Sequence, residues 1–233
     1  MRTFLNYLTS LLAAAAAVIS GCGKSDIPDT PDIPPEPEQP TVKAYSVGDY
    51  YQKGFVKGVV VSVDEKGEHG LIVSLKEHEA AWAFRSDNVM DGQPGTGQYN
   101  TGRVREFKDW MDFYPAFERA TLENVGALKD WFLPSMHELA SLYKAYTGHD
   151  TNDVEQGAGS TKAGMSENES KDWFNKCLAG NKGTAISDQV YWSSNELGPS
   201  IASAFDMRTG TSLDVPSDLD KRKVYKVRAM ASF

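Results

Sequence analysis

Cysteine is scarce in this sequence, since Cys22 and Cys177 are the only two among 233 residues. Two thiols are too few for a thiolate metal cluster or for a scaffold held together by several disulfides. Cys177 lies in a predicted helix with no local motif that would supply a base, which is typical of a small apolar core residue. The sequence therefore indicates no thiol chemistry, and we expect no metal and no cofactor.

Positive charge is also in short supply. Lysine and arginine number 24 against 32 aspartates and glutamates, which gives a net charge of −8. Residues 1–40 contain two of the basic and five of the acidic residues, so residues 41–233 hold 22 basic and 27 acidic residues and carry a charge of −5. Proteins that bind nucleic acid or other polyanions usually present a basic patch. We therefore expect no nucleic-acid partner.

Long apolar runs are absent except for Leu8–Ile19, which is shorter than the roughly 20 residues that a membrane-spanning helix needs. The basic Arg2 precedes this run and small residues follow it, as in a secretory signal peptide. Residues 19–22 read Ile-Ser-Gly-Cys, which resembles a bacterial lipobox. The resemblance implies a signal peptide over residues 1–21 and lipidation of Cys22 with palmitate-type chains. The membrane is thus an expected partner, through a lipid anchor.

Residues 22–40 are interpreted as the lipidated cysteine and a tether. Gly23 stands where an aspartate would retain a lipoprotein at the inner membrane. We therefore expect an outer membrane lipoprotein of a Gram-negative bacterium, exposed at the cell surface. Six prolines between residues 28 and 40 alternate with acidic residues. Such a stretch extends by about 3 Å per residue and would lift a domain at 41–233 roughly 40–50 Å off the membrane.

The pattern of residues 41–233 indicates an α+β domain. β-branched runs at Val59–Val63 and Leu71–Leu75 flank a glycine-containing turn and predict a hairpin. Further strands are predicted at 190–194, at the pair 202–207 and 211–215, and over Val224–Phe233, which alternates as one strand. Early strands, central helices and late strands are typical of two or three helices packed on small antiparallel sheets.

Two helices carry clear start signals. Ser135 and Glu138 have the spacing of a capping box, and Gly148 would end the helix that follows. Ser166 and Glu169 form a second box.

A third helical region is predicted at 104–123, with a break at Pro115, because an apolar stripe recurs at helical spacing. The stripe consists of Phe107, Trp110, Met111, Tyr114 and Phe117. Residues 86–103 lack such periodicity and are predicted to form a long irregular loop.

Three segments together resemble a bacterial extracellular domain, the Lcl C-terminal type, named from a collagen-like adhesin. Residues 130–139 (DWFLPSMHEL) resemble its G-W-x-L-P-[ST]-x-x-E-L segment, with aspartate in place of the glycine. Residues 191–196 (YWSSNE) resemble its Y-W-S-S-[TS]-E segment, and residues 225–230 (YKVRAM) its Y-x-V-R-x-[VM] segment. The resemblance implies a C-type-lectin-like fold with its termini close together. Its structural motif residues here are Trp131, Pro134, Ser135, Glu138, Trp192 and Arg228.

The resemblance also implies roles for three of these residues. Trp192 would anchor the core on a central strand, and Glu138 would cap the second helix. Arg228 would pair with an interior carboxylate such as Glu196. Calcium-dependent lectins hold calcium and sugar with Glu-Pro-Asn, Gln-Pro-Asp and Trp-Asn-Asp tripeptides, which this sequence lacks. We therefore expect no calcium site.

We expect an envelope lipoprotein, not an enzyme, whose extracellular domain is a binding or adhesion module for a glycan, matrix or surface-protein ligand. Recognition residues usually lie in loops on a rigid scaffold. The candidate ligand-binding residues are Asn195 and Glu196 beside a strand, and Asp87, Asn88 and Gln93 in the long loop.

Two alternatives stay open. A large exposed apolar patch would favour a structural or accessory subunit of an envelope assembly, such as a fimbria or a polysaccharide-uptake complex. A polar cleft lined with aromatic residues would instead favour the binding module. Two carboxyl groups about 5–9 Å apart in a deep pocket would favour an enzyme, because glycosidase carboxylates meet only in the fold.

Overall fold

The computed structural model describes residues 43–90, 95–123, 130–151 and 164–233, and these lie within one compact unit, Thr41–Phe233. The α+β class is confirmed, although five helices are described and not the two or three expected. None of the described helices is long and apolar enough to cross a bilayer. The strands are β1 Tyr50–Lys53, β2 Val56–Val63, β3 Gly70–Ser74, β4 His78–Ala81, β5 Trp131–Phe132, β6 Val190–Glu196, β7 Ala202–Asp206, β8 Thr211–Ser212, β9 Val224–Val227 and β10 Met230–Ser232. The helices are α1 Gly97–Arg105, α2 Trp110–Phe113, α3 Pro115–Thr121, α4 Met136–Thr147 and α5 Glu167–Gly180.

The strands form two five-stranded sheets. The first has the order β1-β2-β3-β10-β5, and its neighbouring strands are antiparallel. The predicted hairpin of residues 59–63 and 71–75 is confirmed as β2 and β3. The second sheet has the order β4-β9-β6-β7-β8, in which β6 and β9 run parallel. Helix α4 contacts strands of both sheets and also α5.

The prediction of a single strand over Val224–Phe233 is wrong. The chain forms β9 in the second sheet, leaves it at Arg228 and Ala229, and forms β10 in the first sheet. The alternation in the sequence continues across this crossing, although the burial does not alternate: residues 227–231 are all buried. A period of two therefore does not reveal that the strand changes sheets.

Both capping boxes are confirmed. Ser135 caps α4 with Glu138, and Ser166 caps α5 with Glu169. Helix α4 ends at Gly148, which has a φ of +83° and so takes the left-handed conformation that glycine adopts without strain.

The prediction for residues 86–123 needs correction. Helix α1 begins at Gly97, inside the predicted loop, and Thr96 caps it by accepting a hydrogen bond from the Tyr99 amide at 3.2 Å. Its buried positions include polar side chains, so it has no apolar stripe that would reveal it. Of the predicted stripe, Tyr114 and Phe117 are buried and Met111 is 43% exposed. The break at Pro115 is confirmed, because α3 starts there.

The two ends of the described domain lie together. The ring of Phe233 is 5.4 Å from that of Tyr45 and 4.6 Å from that of Tyr51, centroid to centroid. Phe233 also exchanges two backbone hydrogen bonds with Gly70. The expected closeness of the termini is therefore found for residues 45 and 233.

Candidate functional site

Glu196, at the end of β6, forms a buried ion pair with Lys221. The Lys221 Nζ and Glu196 Oε1 atoms are 2.5 Å apart, and each side chain is only 2% exposed. The other carboxylate oxygen accepts the backbone N–H groups of Val89 at 2.7 Å and Met90 at 2.8 Å. The ammonium lies 4.5 Å above the centre of the Trp82 ring. This pair joins the β6 end to the 87–90 segment and to the chain just before β9.

Burial lowers the pKa of the Lys221 amine, and the adjacent Glu196 carboxylate opposes that shift. Lys221 Nζ also donates to the carbonyls of Asp87 and Pro199, each at 3.0 Å. The charges are therefore compensated inside the protein, and Glu196 faces no solvent from which a ligand could approach. Arg228 does lie beside an interior carboxylate, but that carboxylate is Glu77, 3.8 Å from Arg228 Nη1, and not Glu196, whose partner is Lys221.

Asn195 also makes internal contacts. Its side-chain oxygen accepts the backbone N–H of Met136, the first residue of α4, at 2.8 Å. The preceding Ser194 donates its backbone N–H to the Pro134 carbonyl at 2.7 Å. The two segments 130–139 and 191–196, far apart in sequence, thus bind each other directly. These two hydrogen bonds hold the start of α4 against the end of β6.

The other motif residues are interior as well. Trp131 is buried in β5. Trp192 is fully buried on β6, the middle strand of its sheet, and donates its indole N–H to the Ala80 carbonyl at 3.1 Å. Its expected role as a core anchor on a central strand is found. Arg228 is buried where β9 passes to β10 and donates to the carbonyls of Ser74 at 2.9 Å and Thr184 at 3.0 Å.

The predicted loop residues differ in exposure. Asp87 is half-buried, with its carboxylate 2.7 Å from Arg85 Nε and within 3.4 Å of the Tyr114 hydroxyl. Burial and the Asp87 charge raise the pKa of Tyr114 to about 12. Asn88 is exposed. Gln93 lies outside the described residues, as does Cys22, so the structure leaves their predicted roles as predictions.

Glu138 links two helix starts. One carboxylate oxygen accepts the backbone N–H groups of Ser135 at 2.6 Å and Gly97 at 3.0 Å, so it serves both α4 and α1. Burial raises the pKa of Glu138, and the hydrogen bonds from Ser135 and Gly97 act in the opposite direction without cancelling the shift. Its expected role as a helix cap is confirmed.

We expect the raised pKa of Glu138 to appear in the pH dependence of stability. The folded protein holds this proton more tightly than the unfolded chain, whose carboxyl titrates near 4.5. The stabilisation that this bound proton contributes is complete below that pH. It is lost as the pH rises through the raised pKa of Glu138 in the folded protein. Glu138→Gln does not titrate, so the wild type should lose stability relative to this variant between pH about 4 and neutrality. Urea unfolding at several pH values measures the difference; one that stays constant or grows with pH contradicts the expectation.

An open groove crosses the ends of four adjacent strands of the second sheet, and sequence reasoning missed it. Its volume is about 280 Å³. We call it the four-strand groove, because β4, β9, β6 and β7 each contribute to it. The lining residues are Glu79, Asp188, Gln189, Val190, Asp206, Arg208, Val224, Tyr225 and Lys226. Tyr225 and Lys226 belong to the 225–230 segment, but only the order of strands in the sheet brings the other lining residues to them.

Each carboxylate of the four-strand groove is paired with a cation. Glu79 Oε1 lies 2.7 Å from Lys226 Nζ, and Asp206 Oδ2 lies 2.8 Å from Arg208 Nη2. Asp188 Oδ1 lies 3.2 Å from the Nζ atom of Lys171, which stands on α5. The groove is therefore rich in hydrogen-bonding groups, and two of these cations are shared, since Lys226 Nζ also lies 3.5 Å from Glu77 Oε1 and Lys171 Nζ 2.9 Å from Glu167 Oε1. Within the described residues, no group of three or more His, Cys, Asp or Glu side chains is placed to hold a metal ion.

No family model and no curated protein matches the chain, so the Lcl C-terminal resemblance stays a prediction. Among solved structures, a fimbrial protein from Bacteroides ovatus has a similar fold, with a TM-score of 0.52 and 14% sequence identity. The match covers 81% of this chain and 49% of that protein, so the chain spans about half its length. At this identity the likeness establishes the fold alone: a mixed α+β arrangement that also occurs in a fimbrial protein.

Proposed function

We propose that the chain is a non-catalytic accessory subunit of an envelope assembly of the fimbrial kind. The observation that carries this proposal is the fold that it shares, over most of its length, with the fimbrial protein. The chain matches about half of that protein, which suits a subunit built around one such domain. The signal and tether expected from residues 1–40 would place this domain outside the outer membrane, held by a lipid on Cys22.

The proposal includes a C-type-lectin-like domain of the Lcl C-terminal type. Two of the three segments that carry the resemblance contact each other through Asn195, Met136 and Pro134, as parts of one structural unit would. The closeness of Tyr45 and Phe233 also supports this class. The non-catalytic part rests on the internal use of the motif carboxylates, since Glu196 neutralises Lys221 and Glu138 caps α4.

A stand-alone binding or adhesion module is the second candidate. The four-strand groove favours it, because the groove is polar and has Tyr225 among its lining residues. The partner would then be a glycan or an extracellular protein, with no assembly required.

The test separates these two functions. In the bacterium that encodes the chain, we expect surface filaments released by shearing to contain it, detected with antibodies against residues 41–233. We also expect deletion of its gene to change the number or length of the filaments. Filaments that lack the chain and are unaltered by the deletion overturn the assembly function in favour of the binding module.

Two cysteine variants control for anchoring. Cys22→Ser prevents lipidation, and we expect it to leave both the outer membrane fraction and the filaments. Cys177→Ser changes the other cysteine, which is half-buried on α5, and should keep wild-type localisation. Metabolic labelling with an alkyne-bearing fatty acid measures the lipid directly, and label on Cys22→Ser contradicts the proposed anchor.

A further inference from the structure

The turn between β1 and β2 carries an exposed phenylalanine at its apex. Gly54 and Phe55 are its two central residues, because Lys53 and Val56 pair with each other across the hairpin. Gly54 has a φ of +59°, as the first central residue of a type II′ turn does, and a Cβ atom added there would meet nothing within 4 Å. The turn sets no requirement for an aromatic residue at its second position, and Phe55 is nevertheless 64% exposed.

Two lysines flank this apex. Lys53 is paired with Val56 and Lys57 with Gln52, so the two lysines extend from opposite faces of the hairpin. Both are exposed, and neither pairs with a carboxylate within the residues that the structure describes. The apex therefore combines an apolar ring with two free ammonium groups.

Two further lysines lie at the same end of the first sheet. β3 ends at Ser74, alongside the base of the β1–β2 turn, and Lys76 is the second residue after it. The chain that follows α5 returns to this point, because the Thr184 N–H donates to the Leu75 carbonyl at 2.8 Å. Lys182 lies two residues before that contact, and both lysines are exposed. We call this set the basic end: Lys53, Lys57, Lys76 and Lys182.

The basic end is a local exception in an acidic domain. Residues 41–233 carry a net charge of −5, whereas the basic end presents four positive charges together. Glu77, the residue after Lys76, does not offset them at the surface, because its side chain is only 10% exposed. It accepts hydrogen bonds from the Tyr191 hydroxyl and, at 2.9 Å, from the Ser187 hydroxyl. Unpaired charges of one sign favour a partner of the opposite sign.

We infer that the basic end docks on an anionic lipid surface, with Phe55 in the headgroup region and the four ammonium groups beside lipid phosphates. Aromatic rings favour the interface between membrane and water, and the long lysine stem keeps its ammonium group at headgroup level. Anionic membranes attract basic side chains close to their surface. A soluble polyanion would engage the lysines and leave Phe55 in water, whereas a lipid surface engages both.

Such a contact is weak without a second membrane attachment, and the lipid proposed on Cys22 would supply one. An anchor turns docking into an intramolecular step with a high effective concentration. The expected tether of roughly 40–50 Å is longer than β2, which spans about 26 Å, so the anchor would not keep this end of the sheet from the bilayer. The inference therefore rests on the proposed anchor, and it does not rest on the assembly role.

The experiment uses the full chain on vesicles of phosphatidylcholine, with or without about 30% phosphatidylglycerol. An amine-reactive reagent labels exposed lysines, and peptide mass spectrometry gives the labelling rate of each one. We expect the basic end to react at least about threefold more slowly on the anionic vesicles, and to recover in about 0.5 M salt. Lys66, exposed in the turn at the other end of β2, is the internal control and should keep its rate.

The variants separate the ring from the charges. Phe55→Ser should lower the docking constant at least about fivefold, while Phe55→Trp keeps an aromatic ring and should protect the lysines as the wild type does. Lys53→Gln/Lys57→Gln should lower it about 25-fold, or about fivefold for each lysine, and so expose the two remaining lysines to the reagent. Lys66→Gln is the matched control and should leave the protection unchanged. Thermal unfolding of each variant identifies any loss that is due to misfolding.

Equal labelling of the basic end on both kinds of vesicle would overturn the inference. Slowing of Lys66 by the same factor would also contradict it, because the attraction would then not be specific to this end, and so would protection that Phe55→Ser leaves intact. Protection by soluble polyglutamate but not by anionic vesicles would reassign the basic end to an acidic protein. Flotation on neutral vesicles tests the anchor separately. A chain that does not float contradicts the lipid on Cys22, and its labelling is then compared at excess vesicles.

Discussion

Glu196→Gln is expected to lower the free energy of unfolding by about 3–5 kcal/mol, as measured by urea titration followed by tryptophan fluorescence. The glutamine can still accept the backbone N–H groups of Val89 and Met90, so the change removes mainly the negative charge. The Lys221 ammonium is then left almost fully buried without a counter-charge. Removal of one member of a buried pair costs far more than the net contribution of the pair itself.

Two further variants test that explanation. In the double variant Glu196→Gln/Lys221→Met no charge is left uncompensated, so it should recover part of the lost stability. Lys223→Met breaks an exposed pair, in which Lys223 Nζ lies 2.5 Å from Asp218 Oδ1, and should cost no more than about 1 kcal/mol. A double variant that is less stable than Glu196→Gln would show that the amine contributes through its hydrogen bonds and not through its charge.

The single variant should also respond to pH in a defined direction. The pKa of Lys221 in the folded protein lies below its ordinary value of 10.5, and removal of Glu196 lowers it further. Between the lowered pKa and 10.5, the unfolded chain binds more protons at this residue than the folded protein does. The free energy of unfolding therefore increases as the pH rises through that window. Glu196→Gln should therefore regain stability at alkaline pH relative to the wild type.

Arg228→Met is expected to cost about 3–5 kcal/mol of unfolding free energy, measured in the same way. The guanidinium is buried where the chain passes from one sheet to the other, and it donates to Ser74 of β3 and to Thr184. Its loss removes the guanidinium donor from those carbonyls, and it leaves Glu77, 3.8 Å away, without that positive charge.

Arg228→Lys distinguishes charge from geometry. Lysine restores a positive charge but not the planar fork that reaches two carbonyls in different directions, so it should recover only a minor part of the stability. Arg222→Met provides the matched control, because that arginine is 75% exposed, its partner Asp220 is also partly exposed, and the pair should contribute no more than about 1 kcal/mol. A loss below about 1 kcal/mol for Arg228→Met would contradict a joining role for this arginine.

Local signals made part of this fold predictable. In the capping boxes at Ser135 and Ser166, the residues that bond to each other lie within four positions in sequence. Both helices start where expected. The β2–β3 hairpin follows from two β-branched runs and a short turn. Helix α1 escaped prediction because its buried face includes Asn100 and Thr101, which bond to Ser194 and Leu133 and do not form an apolar stripe.

The candidate site depended on information that a sequence pattern does not contain. The sequence offers Glu196 and Asn195 as candidate ligand-binding residues beside a strand, but it does not reveal their internal partners, Lys221 and Met136, which are 25 and 59 residues away. The four-strand groove requires knowledge of strand order, since β9 lies between β4 and β6. Only the packed sheet shows which carboxylates already have cations beside them.

The passage of the chain from β9 to β10 has a consequence for folding. β9 lies between β4 and β6, and β10 lies between β3 and β5, so residues 224–232 complete both sheets. Until these residues leave the ribosome, each sheet lacks an internal strand and is split in two. The two gaps leave four unpaired strand edges, on β4, β6, β3 and β5, and such edges are prone to pair with other chains. Final folding of both sheets therefore waits for residues 224–232, and a chain that stalls before them exposes all four edges.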